Sequence, residues 1–518
     1  MAVEGRLAWI VVGVSGLLAG LALPPLGCPP LAWLALALLW SASGLGPSRQ
    51  LLLGSGLWGG LAVLLSHRWL LGLHPLDWIG VPLPLSLPLC GLLLLLCAAL
   101  GAVLLACWAW LAAVLGPQRP GTALLLSGVW GLAEVLLARG PLFWLGLGAA
   151  PLPHDRPLAG LAVLGGSGLV AAVQVLLGWG LWRVVAAPAG RLRRLATWLL
   201  LVLLLHGAGA ALLAGQPPGS AASERVLVLQ PAIPTREKQT GAARQRLALL
   251  LEQAMAEAQR RRAAVVVLPE GALGLEPRLA QPAAVELLSG GFRWQDGAGG
   301  PEQRSALLRF EPGARQASGA VDKHRLVPLG EWVPLASWWR WSGLSAVGGV
   351  EPGAPSRLLI RPAGPVAVAI CYEISDGGAL AAASRNGATW LLASANLDPY
   401  PLMLQRQFAA LAQLRAIETG RWLVSSANTG PSLLVTPQGI VQAALAPGRA
   451  AVALFEPELR AGLTPYGRCG EALLLVLVGA GALTRWRTGS PGCRAESAGE
   501  AEGHLHQGEA QKPDQGKE

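Results

Sequence analysis

Three reactive side chains each follow a short run of small and β-branched residues. Glu270 comes after Ala264-Val-Val-Val-Leu268 and Pro269, and Lys323 after Ala317-Ser-Gly-Ala-Val-Asp322. Cys371 comes after Val366-Ala-Val-Ala-Ile370, and a change of character follows it: Tyr372, Glu373, Ile374, Ser375, Asp376 and a Gly pair suggest a sharp turn into a helix. Side chains at strand C-termini of layered α/β domains converge on one rim. A nucleophile on a strand-to-helix turn is held rigidly and presented outward. A carboxylate, an ammonium and a thiol meeting there have complementary uses. The carboxylate can take the thiol proton, and the thiolate can attack an ester or amide carbonyl. The ammonium and a backbone N–H after the cysteine can stabilise the tetrahedral oxyanion. Each residue also has a plainer reading when taken alone. Most free cysteines are small buried hydrophobes, Glu270 could cap a turn, and Lys323 beside His324 and Arg325 could belong to a solvated basic face.

Composition limits what could carry these residues. The chain has 518 residues, 53% hydrophobic and 14% charged, against about 25% charged in an average soluble protein. The deficit is local. Residues 1 to 220 contain no lysine and long apolar runs, whereas 224 to 465 resemble an ordinary globular domain. The net charge of +10 does not indicate nucleic-acid binding, because many arginines sit in short loops between apolar runs, where membrane topology accounts for them. The seven cysteines show neither paired nor metal-type spacing. No metal and no organic cofactor is expected.

The apolar runs predict seven membrane spans, near 7–26, 29–44, 50–72, 87–115, 122–147, 158–184 and 195–214, and an eighth near 470–484. A helix needs roughly 20 apolar residues to cross the hydrocarbon core; the second span is short, and Glu134 and Arg139-Gly-Pro141 interrupt the fifth. An inside N-terminus puts most loop arginines inside and the soluble domain outside. The expected organisation is a transmembrane module over 1–215, a linker over 216–224, an α/β domain over 225–465, a C-terminal membrane helix over 466–487 and a disordered polar tail over 488–518. Strands and helices alternate through the α/β domain: strands near 226–230, 264–268, 366–370, 389–393, 422–425, 432–436 and 451–455, and helices near 242–262, 377–386 and 402–418. Glu134, beside Trp130 inside a span, is a candidate functional carboxylate unless interfacial solvent reaches it.

In order along the chain, Pro269-Glu-Gly-Ala272, Asp322-Lys-His-Arg-Leu-Val-Pro328 with Glu331, Ile370-Cys-Tyr-Glu373, Arg415-Ala-Ile-Glu418 and Ala427-Asn-Thr-Gly430 resemble the Glu-Lys-Cys motifs of the nitrilase superfamily. With Leu18-Ala-Gly-Leu-Ala-Leu-Pro-Pro-Leu-Gly27 and the preceding spans, the chain is similar to the bacterial apolipoprotein N-acyltransferase family, the membrane-anchored branch of that superfamily. The resemblance implies a nitrilase-like αββα sandwich on a polytopic helical module. Glu270 would be the base, Lys323 the oxyanion stabiliser and Cys371 the nucleophile. Glu331 would be a second carboxylate orienting the lysine, with Tyr372 and Glu373 as supporting residues. It also implies transfer of a fatty acyl chain from a membrane phospholipid to the α-amine of a diacylated apolipoprotein, through a cysteine thioester, by a monomer in the plasma (inner) membrane with its catalytic domain periplasmic. Two places depart from the family pattern: Leu268 stands where the family has Trp, and Asn396-Leu-Asp-Pro-Tyr400 replaces Asn-Asp-Ala-Trp-Phe-Gly; both alter the pocket wall. Trp338, Trp339 and Trp341 read either as a lid at the membrane interface or as a buried aromatic cluster. The competing functions are a membrane-tethered amidase with the same triad and a transporter with a sensor domain. The number of spans disfavours the first, and the scarcity of intramembrane charge disfavours the second.

Overall fold

A computed structural model describes residues 2–489 apart from 187–188, 217–218, 221, 239, 298–299, 329–330, 332–348 and 399. Trp338, Trp339, Trp341 and the tail from 490 onward lie outside the described residues.

The N-terminal part is helical: α1 (Ala2–Ala22), α2 (Pro29–Ser43), α3 (Arg49–Ser66), α4 (Leu83–Leu115), α5 (Pro120–Arg139), the short α6 (Arg156–Ala159), α7 (Ala162–Val185) and α8 (Arg191–Ala214). By length and composition α4, α5, α7 and α8 can each cross a membrane, and Trp9–Ala22 and Pro29–Ser43 are shorter apolar helices. Leucines on α4 and α8, such as Leu92 and Leu203, are exposed, as expected of side chains that face lipid tails. Small residues bring helices together: a Cβ on Gly59 would lie 2.5 Å from the Gly101 carbonyl of α4.

Two expected spans are shorter than the apolar runs. The third stops at Ser66, and the chain continues as a 3₁₀ turn over Arg68–Leu73. The fifth ends at Arg139, since Gly140-Pro141 cannot continue a helix. Glu134 accepts hydrogen bonds from Trp130 Nε1 (2.8 Å), Leu147 N (2.8 Å) and Gly148 N (3.2 Å). It therefore fixes the returning 3₁₀ turn, where a Cβ on Gly146 would collide with the carboxylate at 2.2 Å.

The α/β domain is two six-stranded sheets packed face to face. The first has the order β12-β1-β2-β3-β4-β5 and the second β11-β10-β9-β8-β7-β6. The first contains β1 (Val226–Gln230), β2 (Val265–Leu268), the long hairpin β3 (Glu286–Gly297) and β4 (Gly300–Phe310), β5 (Gly319–Asp322) and β12 (Ala451–Phe455). The second contains β6 (Leu358–Leu359), β7 (Val366–Ile370), β8 (Trp390–Ala395), β9 (Leu423–Ala427), β10 (Leu433–Val435) and β11 (Val441–Ala444). The central strands β1, β2, β7, β8 and β9 are fully buried and mostly apolar, as parallel strands covered on both faces are. Helix α9 (Gly241–Arg260) covers the first sheet; α10 (Gly377–Arg385) and α11 (Leu402–Thr419) cover the second. The result is an αββα sandwich. Between the sheets Arg361 pairs with Glu224 and Glu286, and Arg309 also pairs with Glu286. Helices α12 (Pro465–Cys469) and α13 (Ala472–Gly489) return the chain to the membrane module, where α13 packs on α5.

Candidate active site

Topology brings the three reactive residues together. Strands β2 and β3 are parallel, and two antiparallel steps through β4 make β5 run the same way. Glu270 and Lys323 therefore leave the same edge of the first sheet, and β7 delivers Cys371 to that edge from the second. Lys323 Nζ donates to Glu270 Oε1 at 2.6 Å and to the Glu331 carboxylate at 2.8 Å. The second oxygen of Glu270 accepts the Asn396 backbone N–H at 3.0 Å, and Glu331 also accepts from Val327 N at 2.9 Å. The Cys371 thiol lies within the electrostatic reach of Glu270, Lys323 and Glu331. Gly290 on β3 makes room for this rim: a Cβ there would sit 2.4 Å from Glu270 Cα.

The charges are mutually dependent. Burial by itself would discharge Lys323, but Glu270 and Glu331 flank it and hold its pKa well above the usual value. Burial would likewise raise Glu270, yet Lys323 and the Asn396 N–H keep it below the ordinary carboxylate range. Glu331 is pushed up by burial and by Glu270, despite Lys323. Burial, with the neighbouring Glu270 carboxylate, pushes the Cys371 thiol well above its normal value. These directions favour a protonated thiol near an ionised carboxylate, an arrangement in which a neighbouring base could assist proton removal.

Cys371 is 4% exposed. It is presented into an enclosed space rather than outward as the sequence suggested, because the membrane module covers this rim. Its φ is +53°, a conformation that costs a non-glycine residue on the order of 1 kcal/mol or more and clusters at active sites. It opens a 3₁₀ turn, Cys371–Ser375, before α10. Glu373, inside that turn, is 3% exposed and fully engaged. It accepts from Ile370 N at 2.8 Å, His324 N at 2.7 Å, Arg325 N at 3.2 Å and Arg357 Nη1 at 2.8 Å. Glu373 thus ties the backbone after Lys323 to the strand that carries Cys371. Arg357 in turn donates to the Asp322 carbonyl at 2.8 Å. Sequence reasoning missed Arg357 and the Asn396 N–H; Arg357 sits among Pro, Ser and Leu with nothing to mark it.

The turn is docked on the membrane module. Ser375 Oγ donates to Ala138 O at 2.8 Å, Arg325 Nη2 to Gly140 O at 2.5 Å, and Arg139 pairs with Asp376 at 3.4 Å and with Glu471 at 2.5 Å. Beside it lies an apolar cavity of about 330 Å³ between the membrane helices and the α/β domain. Trp69, Leu89, Leu93 and Cys97 line the membrane side; Val327, Tyr372 and Tyr400 line the other. The Tyr372 ring packs against Phe143 (centroids 5.2 Å apart) and Tyr400 (6.3 Å). Tyr400, in the segment that departs from the family pattern, is therefore part of the cavity wall. Among the described residues no group of His, Cys, Asp and Glu could hold a metal ion.

This is a thiol, carboxylate and ammonium site at the rim of a two-sheet α/β domain, closed by membrane helices. Family models match accordingly: the apolipoprotein N-acyltransferase N-terminal domain over residues 15–180, and carbon-nitrogen hydrolase over residues 305–456. The second stretch contains Lys323, Glu331 and Cys371, and Glu270 precedes it. A protein named apolipoprotein N-acyltransferase from Prochlorococcus marinus (strain MIT 9313) is 50% identical over 489 residues, 92% of this chain and 95% of that one. One of the same name from Parasynechococcus marenigrum (strain WH8102) is 50% identical over 461 residues, 88% and 96% of the two chains. One from Chromobacterium violaceum is 31% identical over 472 residues, 84% and 85%. Among solved structures, Saccharomyces cerevisiae Nit3, of the nitrilase superfamily, aligns over 46% of this chain and 90% of that one, at 19% identity and TM-score 0.36. The chain belongs to the apolipoprotein N-acyltransferase family.

Proposed function

We propose that the protein moves a fatty acyl chain from a membrane phospholipid to the N-terminal α-amine of a diacylated apolipoprotein, by way of a thioester on Cys371. The observation that carries this reading is the apolar cavity lined by Tyr372, the residue after Cys371, and by residues of the membrane helices: it suits an acyl chain and offers little to a small polar amide. Glu270 takes the Cys371 proton as sulfur attacks the ester carbonyl. Lys323 and the Tyr372 N–H stabilise the oxyanion. Collapse breaks the ester C–O bond, and the glycerol oxygen of the departing lysophospholipid recovers the proton from Glu270. The acceptor amine then attacks the thioester and gives a proton to Glu270. The amide forms, and the thiolate leaves and is reprotonated. Glu331 holds Lys323 in place throughout. The membrane-module, linker and catalytic-domain divisions near 215, 225 and 465 and the plasma-membrane location with the catalytic domain on the periplasmic side belong to this reading, as does action as a monomer. The loop arginines and the lipid nature of both substrates support the orientation.

The test is intact mass spectrometry of the purified protein after incubation with phospholipid. A fatty-acyl mass that hydroxylamine removes and Cys371→Ala abolishes is expected. Absence of loading, with hydrolysis of small amides instead, overturns the proposal in favour of a tethered amidase.

A further inference from the structure

A second lysine lies next to the site. Lys238 lies in the loop between β1 and α9, half-buried, and its Nζ donates to Asn396 Oδ1 at 2.9 Å. Asn396 is the residue whose backbone N–H holds Glu270. Its amide is fixed by further bonds: Nδ2 donates to Thr235 Oγ1 at 2.8 Å and to the Asp398 carbonyl at 3.0 Å, and Oδ1 also accepts from Asn428 Nδ2 at 2.8 Å. A Cβ on Gly271, next to Glu270, would lie 3.8 Å from Lys238 Nζ. Among the described residues, Asn396 Oδ1 is the one hydrogen-bond acceptor recorded for this ammonium.

We infer that Lys238 is a positioning residue for Glu270, a second cation that keeps the base ionised and aims it through Asn396. This rests on the acyl-transfer role proposed for Glu270. The charged groups that face Lys238 are Glu270 beyond β2 and Asp398 beyond β8; its loop neighbour Arg236 is turned away to Asp77 at 3.0 Å. Glu270 itself faces Lys323, Cys371 and Lys238, and Glu331 shares the Lys323 ammonium with it. Burial pulls the Lys238 pKa down to about 8, against the pull of Glu270 and Asp398. The cation is therefore present at neutral pH and lost in mild alkali, and with it part of the field that holds Glu270 ionised. An opposite charge nearby lowers the pKa of a carboxylate, and Lys238 adds to the pull of Lys323 and the Asn396 N–H on Glu270.

The experiment compares wild type, Lys238→Met and Lys238→Arg. The rate of acyl-enzyme formation from phospholipid and the rate of Cys371 alkylation by iodoacetamide, read on the Cys371 peptide, are followed from pH 4.5 to 10. Lys238→Met should slow acylation by about tenfold and move the acid limb of both profiles upward by about one pH unit. Lys238→Arg should leave the acid limb where it is in wild type. A limb position does not depend on how much protein folds, so a poorly folding variant remains informative. A lower rate with an unmoved limb reduces Lys238 to a structural contact and overturns the inference, as does a Met variant indistinguishable from wild type. If wild-type Cys371 is alkylated with an acid limb but phospholipid never loads it, the acyl-transfer reading fails and the inference about Glu270 is still decided by alkylation.

Discussion

Glu373→Gln isolates the clamp that registers the two sheets at the site. The substitution keeps the shape and removes the charge. In the wild type one oxygen receives the His324 and Arg325 N–H groups, the other receives Ile370 N, and Arg357 Nη1 spans both at 2.8 Å. Every neighbour is a donor, so the Gln amide must turn an NH₂ towards at least one of them and leave the Arg357 charge buried without a counter-ion. Breaking one partner of such a pair costs about 3–5 kcal/mol. For an α/β domain of this size that corresponds to a fall of about 10 °C in melting temperature. The catalytic consequence is separate. Lys323 and Cys371 sit on different sheets, and a displacement of about 1 Å between reacting groups costs on the order of 100-fold in rate. Scanning fluorimetry of detergent-purified protein and single-turnover acylation followed by mass read the two effects independently. The double variant Arg357→Met with Glu373→Leu removes both charges; it should recover most of the melting temperature and little of the rate. A Glu373→Gln protein that melts and acylates like wild type would falsify the clamp.

Two further predictions follow from the cavity and from a buried carboxylate. Leu93→Trp fills the membrane side of the apolar cavity, and competition between long- and short-chain donors should shift towards the short chain by about tenfold; an unchanged ratio would mean the chain lies elsewhere. Burial raises the Glu418 carboxyl to about 7, despite Arg415 at 3.0 Å and the Ser167 N–H at 2.7 Å. The folded state then retains a proton that the unfolded chain releases near its ordinary value, so stability falls as pH rises between roughly 4.5 and 7, by on the order of 3 kcal/mol. Melting temperatures at pH 5 and pH 7.5 should differ more for wild type than for Glu418→Gln, and equal differences would refute the assignment.

The strand-end residues are legible because β2 and β7 are short apolar runs that stop at or just before the reactive side chain, and β5, though partly polar, ends directly before Lys323. Parallel topology then places Glu270, Lys323 and Cys371 on one edge. What held no local signal was the wiring between sheets. Arg357 reaches Glu373 from sixteen positions away. Arg361, Glu224 and Glu286, which look like surface residues in one dimension, satisfy each other in the interior. The hairpin β3–β4 carries no clear strand pattern in the sequence, since its outer half is polar and exposed. Hydropathy does not mark helix ends where apolar runs outlast helix: past Ser66 the chain tightens to 3₁₀, and past Arg139 a Gly-Pro pair stops it. The docking of the Cys371–Ser375 turn on Ala138 and Phe143 also has no local signal, because these partners lie more than two hundred residues away.

That docking has a consequence for the fate of an acyl-enzyme. On the acyl-transfer reading, a chain held in the cavity next to the Cys371 turn would lie against Trp69, Phe143, Val327 and Tyr400, surfaces that give an attacking water few hydrogen bonds to steady it. On the acyl-transfer reading, the competition between water and an amine is therefore settled by the walls, while the triad stays indifferent to which one arrives. The membrane helices then do more than anchor the domain: they decide the partition between hydrolysis and transfer, and a catalytic domain stripped of them should leak its acyl groups to solvent.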